Sequence, residues 1–266
     1  MRVLVAALLL PLAPALAMPL AAHHAVYKLT LHSSHDQSVL AASGTMTYDV
    51  GDACTAWTTS QHLALQVTNK DGQDVSTVSD YATVEAKDGS KLDFHTRQLS
   101  DGAVSSEIDG TAALETAPGR AGRGTVSYSA PEKKTVTLPL GTLLPMAHTA
   151  ALLDAAEAGK RFLSLPLFDG TGADGAQDTF VTIESWKASG SAEKWPTLAG
   201  LPSGRVHIAF FPRPVVDATA GDETPDYEIG IHYFANGVAD SMTMDFGDFT
   251  MDGTLVQFEP RRPPHC

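Results

Sequence analysis

From His24 onward, hydrophobic and polar residues alternate. Tyr27, Leu29 and Leu31 fall on one side of an extended chain, and Lys28, Thr30 and His32 on the other. Met46 and Tyr48 continue the pattern after Gly44, and Trp57 follows Cys54. A period of two marks strands with one buried face. Two more strands flank Asp88-Gly89 between Val75 and Gln98, and weaker ones fill Gly102 to Leu138, where Ala, Gly and Ser replace bulky residues. The pattern resumes at Phe162–Phe168, Phe180–Trp186, Val206–Phe210, Ile229–Tyr233, Met242–Phe246 and Val256–Phe258. Asp-Gly pairs at 71, 88, 101, 109, 169, 174 and 252, with Asn236-Gly237, supply the positive φ of tight turns, the last of them a hairpin at Asp252-Gly253. The segments Trp195–Pro202 and Asp217–Pro225 read as loops. About 13–14 short strands joined by short turns make an antiparallel meander.

One stretch breaks the alternation. Within Leu138–Phe168, a helical wheel puts Met146, Thr149, Leu152, Leu153 and Ala156 on one face, with Asp154 and Glu157 turned away. Pro145 suits the first turn, and Gly159-Lys160-Arg161 is a stop signal. A helix of about 14 residues is only ~21 Å long, enough to plug or buttress a sheet. So many strands curl into a closed or nearly closed barrel, or a spiral over the helix, rather than staying flat. On the inner face, Ile229, Ile231, Met242, Met244 and Phe246 could line an apolar groove. The expected arrangement is that the helix fills it.

The chain opens with Met1-Arg2, an apolar run broken by Pro11 and Pro14, and Ala15-Leu16-Ala17. This is the layout of a cleaved secretory signal peptide, residues 1–22, with the cut after Ala17 or Ala22. Residues 23–266 then form one domain, expected to be exported and without a transmembrane segment. With 18 basic and 31 acidic residues, the net charge of −13 repels nucleic acid and anionic headgroups. Cys54 and Cys266 are the only two cysteines, an even pair in a chain addressed to an oxidising compartment, which favours a disulfide. A free buried Cys54 with a frayed Cys266 is the alternative.

Several segments resemble the EipB family of envelope integrity proteins: Asp52–Gln61 (DACTAWTTSQ), Leu138–Thr149 (LPLGTLLPMAHT), Leu-Phe-Asp-Gly at 167–170, Phe-Gly-Asp-Phe at 246–249, and the terminal Cys266. The resemblance implies a periplasmic protein folded as a spiral-like open β-barrel around one central helix, with a disulfide joining Cys54 to Cys266. It brings no catalytic residues and no cofactor.

The residues themselves argue little for catalysis. There is no G-x-S-x-G, and of the ten histidines only His148, His207 and His232 sit where a role could be sought. Asp169–Asp178 looks superficially like a calcium loop but has Ala173 where an oxygen ligand belongs and no closing Glu. His23-His24 would bind metal only as an exposed amino terminus. The expectation is a non-enzymatic periplasmic protein supporting envelope integrity through a protein partner, with no metal or cofactor. The alternatives are a carrier or sensor of an apolar ligand such as a lipid, and an envelope hydrolase without a recognisable motif.

Overall fold

The computed structural model describes residues 20–35, 38–115, 123–189, 194–213, 224–262 and 264–266. The leader up to residue 19 and most of the Asp217–Pro225 loop lie outside the described residues. Fourteen strands and one helix follow in order: β1 His23–Ser34, β2 Val39–Asp52, β3 Ala56–Asn69, β4 Asp74–Ala86, β5 Lys91–Ser100, β6 Ala103–Leu114, β7 Gly124–Ala130, β8 Lys134–Leu138, α1 Pro145–Glu157, β9 Phe162–Leu167, β10 Gln177–Ile183, β11 Ser203–Phe211, β12 Tyr227–Phe234, β13 Ala239–Asp245 and β14 Phe249–Pro260. No described helix is long and apolar enough to cross a membrane.

All strands join one antiparallel sheet ordered β8-β7-β6-β5-β4-β3-β2-β1-β14-β13-β12-β11-β10-β9. The sheet curls but does not close: its two edges, β8 and β9, are the strands on either side of α1. A single parallel bridge, Leu143 to Leu167, ties the segment entering the helix to the β9 edge. Pro166, which cannot donate to a ladder, sits on that edge strand, where its missing N–H is tolerated.

Register explains the inner face. Ala25, Tyr48, Gln61 and Tyr81 are successive cross-strand partners, as are Leu31, Met251, Met244, Ile229, Ile208 and Val181. These rows and α1 enclose the larger core, with Leu152, Leu153, Ala155 and Ala156 of the helix packed into it. A second core of Leu92, Phe94, Ala112, Val126, Tyr128, Leu144 and Phe168 lies under β5–β8.

Two Asp-Gly pairs are not turns. Asp109-Gly110 lies inside β6 and Asp252-Gly253 inside β14, so the expected last hairpin is displaced to Gly247, at φ +85°. The reason is steric. A Cβ at Gly253 would come within 2.6 Å of Met242 Cγ and 3.1 Å of Leu29 Cδ2, and one at Gly110 within 2.7 Å of Phe94 Cζ. There glycine makes room rather than bending the chain. The helix face is also wider than the wheel suggests: His148 and Ala155 are buried, while Thr149 is only half-buried, its hydroxyl donating to Pro145 O at 3.0 Å.

Candidate functional site

The helix entry is held from both halves of the sheet. Leu144 precedes α1 in extended conformation without a side-chain cap, so the first N–H groups need acceptors from elsewhere. Glu85, on β4, supplies them: its carboxylate accepts Met146 N–H at 2.7 Å and Ala147 N–H at 2.9 Å. The side chain is nearly inaccessible, at 2% exposure, and burial raises its pKa to about 7 against the opposing pull of those two hydrogen bonds. On the other side, His148 Nε2 lies 2.9 Å from Thr179 Oγ1, on β10. The threonine donates its own hydrogen to Leu165 O at 2.7 Å, so the imidazole is the donor in this pair. Burial lowers the His148 pKa to about 4, leaving the ring neutral near pH 7.

Beneath this first turn lies an apolar cavity of about 370 Å³. Pro145, Met146, His148 and Thr149 form its lid. Met46, Tyr48 and Leu63 wall it on one side, and Ile208, Phe210 and Tyr227 on the other. Ile229, Ile231, Met242, Met244 and Phe246 all line it. The helix therefore does not fill the inner face, contrary to the sequence expectation, because beneath its first turn Met146 is the one large hydrophobe, beside the polar His148 and Thr149. The volume lies toward the lower end of the ~300–1,000 Å³ range of small-molecule sites, and the lining has the character of such sites, mostly apolar with a few polar groups.

Four of those polar groups are tyrosines, beside His23, Gln61, His148, Thr149, Asp169 and Asn236. The Tyr27 hydroxyl donates to Ala239 O at 2.8 Å, and burial keeps it protonated at any physiological pH. Burial likewise raises Tyr48, to about 12, and lifts Tyr227 and Tyr233 above the usual phenol range. The cavity thus offers uncharged hydroxyls and polarizable Met and aromatic surfaces, which suit an apolar chain. Behind the helix, a second cavity of about 360 Å³ runs along Trp57, Glu85, Lys87, Asp154 and Glu157, with Leu20 and Met146 on the border of both. Lys87 Nζ stands 4.3 Å from the Trp57 ring centre and pairs with Asp52 at 2.6 Å.

The three histidines singled out in the sequence do not converge. His148 is interior, whereas His207 and His232 point from the outer face of β11 and β12 and pair with Glu228 at 2.8 Å and Asp240 at 2.7 Å. His23 and His24 diverge too: the buried His23 ring bonds Ala21 O at 2.7 Å, and His24 bonds Asp49 on the opposite face. Asp169 spends its carboxylate on Thr171, and no cluster of three metal-ligating side chains occurs among the described residues. Cys54 and Cys266 are joined, with an S–S distance of 2.08 Å. Cys54 occupies the β2–β3 turn at φ +65°, so the bridge carries the tail after β14 across β1 and β2.

Residues 14–262 match the model of the EipB-like family. The chain belongs to that family. An EipB-like relative, the cell envelope integrity protein EipB of Brucella abortus (strain 2308), is 31% identical over 257 residues, covering 91% of this chain and 85% of the relative. A crystal structure from Brucella abortus, described as a beta-barrel-like protein of a domain of unknown function, superposes with a TM-score of 0.80 at 29% identity. It covers 92% of this chain and 100% of that one. The open, curled sheet of this chain thus shares its fold with a structure described as barrel-like. What sequence reasoning missed in this family member is Glu85: it stands two residues after Thr83, on the inward side of β4, which is the only signal that it turns inward.

Proposed function

We propose that this protein supports cell envelope integrity in the periplasm as a non-enzymatic binder of one apolar chain, such as a lipid, held under α1. The observation that carries this proposal is the cavity itself: five inward apolar residues of β12, β13 and the turn after it line open space beneath the first turn of the helix. The name borne by the Brucella relative supplies the cellular context. A protein partner is the second reading. It is favoured by Phe162 and Phe180, stacked with ring centres 5.8 Å apart and about half exposed at the β9 edge of the sheet. Exposed aromatic pairs of this kind anchor protein interfaces.

Native mass spectrometry of protein purified from periplasm without detergent separates the two. The expected result is a discrete apolar adduct lost on denaturation, with 1-N-phenylnaphthylamine binding the emptied protein and failing to bind Ile229→Trp. An apo mass together with no probe binding would overturn the ligand proposal and leave the partner reading, to be pursued by crosslinking through the Phe162–Phe180 edge.

A further inference from the structure

The sequence permits two cuts at the end of the leader, and they differ by the five residues Met18–Ala22. Three of these residues are built into the fold. Ala21 N–H donates to Asn236 O at 2.9 Å, Ala21 O accepts the buried His23 ring at 2.7 Å, and Ala22 O accepts Arg261 N–H at 2.9 Å. Leu20 packs over Gly237, so closely that a Cβ there would lie 2.7 Å from its Cδ2. Ala21 joins the small core of Leu198, Phe234 and Val238.

We propose that the exported chain is cut between Ala17 and Met18, and that Leu20 and Ala21 remain in the mature protein as part of the cavity wall. Water adds across the Ala17–Met18 amide, leaving the carboxyl on the leader and the free α-amine on Met18. That bond lies outside the described residues; the contacts of Leu20, Ala21 and Ala22 carry the assignment. A cut after Ala22 would strip partners from Asn236 O, the His23 ring and Arg261 N–H together, and the His23 ring, being buried, costs stability when left unpaired. It would also put a charged α-ammonium on His23, a residue only 2% exposed, while Asp49, the carboxylate that acts on the His23 ring, is already shared by His24 and Arg261. Sequence agrees with geometry. Ala15 and Ala17 precede the first cut as the small residues an A-x-A site needs, whereas Leu20 stands at the equivalent outer position of the second.

Leu20 borders both the cavity under the helix and the one behind it. Together with Met146 it partitions them, so its loss would open the apolar space toward Glu85 and Lys87. This role of Leu20 rests on the ligand-binding proposal; the position of the cut does not.

The test begins with the intact mass and N-terminal sequence of protein exported from its own leader. A chain starting at Met18 is expected, and one starting at His23 overturns the assignment. Two variants then test the wall: residues 1–17 joined directly to His23, and Leu20→Gln in the full chain. Both should melt several degrees below the parent, and Leu20→Gln should bind 1-N-phenylnaphthylamine several-fold more weakly. Unchanged melting in both variants overturns the structural role. If the probe binds neither parent nor variant, the ligand proposal fails, and mass and melting alone decide the processing site and the wall.

Discussion

The carboxylate of Glu85 accepts the main-chain N–H of Met146 at 2.7 Å across 61 residues of sequence. A helix whose own entry offers no capping side chain thus starts on a buried acid from the opposite half of the sheet. Replacing Glu85 with Ala leaves the buried Met146 N–H and the half-buried Ala147 N–H without acceptors, a loss of about 1–3 kcal/mol. Urea unfolding at pH 7 should show a lower midpoint for Glu85→Ala, with probe binding reduced as well, since the lid of the cavity is the turn that Glu85 holds.

Glu85 and His148 also give opposite pH dependences. The Glu85 pKa is raised from 4.5 to about 7, so between those values the native state holds a proton that the unfolded chain lacks, and stability falls as pH rises. The His148 pKa is lowered from 6.5 to about 4, so there the unfolded chain is the one protonated, and stability falls as pH drops. His23, lowered by burial, adds to the acid limb. The wild type should therefore show a broad plateau of melting temperature across weakly acidic pH. Glu85→Gln should lose stability steeply on acidification from about pH 6.5 toward 4, and His148→Gln should do so on raising the pH from about 4.5 through 7. Superimposable profiles for the three proteins would rule this out.

The Cys54–Cys266 bridge closes a separation of 212 residues. In the chain-entropy account such a loop is worth up to roughly 5 kcal/mol. Cys54→Ser should melt several degrees lower than the wild type in the absence of reductant, and the two should converge when the wild type is fully reduced. Equal melting curves without reductant would show the bridge to be dispensable.

Gly253 faces Met242 and Leu29 with no space for a Cβ. Gly253→Val forces those side chains off their positions, a strain of about 1–3 kcal/mol. Because Met242 also lines the cavity, the variant should lose both thermal stability and probe affinity, measured side by side in one titration series.

The strands and the helix are legible in the sequence because period two and period 3.6 are properties of the chain itself. Tyr27, Leu29 and Leu31 turn inward wherever β1 finds its partners, and Pro145 and Gly159 bound the helix with local backbone preferences. What is not legible depends on what stands opposite. Asp252-Gly253 reads like a turn until Met242 and Leu29 are seen pressing on it. Alternation places Ile229, Ile231, Met242, Met244 and Phe246 inward, but hydrophobicity cannot say whether the facing helix presents Leu or, as in this fold, Thr149 and His148 at that level. Glu85 carries the charge of a surface residue, and only its alternation with Thr83 hints otherwise.

The order of strands has a further consequence. Every pairing in the sheet joins neighbours in sequence except one, β1 with β14, whose register sets His23 against Pro260. The chain is in effect a ring of local hairpins opened at the wrong place for rapid assembly: both of its ends meet at the central seam, and its two sheet edges lie mid-chain. Loop closure across the whole protein falls on that single seam. A circular permutant that links the present termini and opens between α1 and β9 would make every strand pairing of the sheet local, leaving the short Leu143–Leu167 bridge to join its new ends. It should reach the same sheet with faster refolding, since fewer distant segments must find each other first.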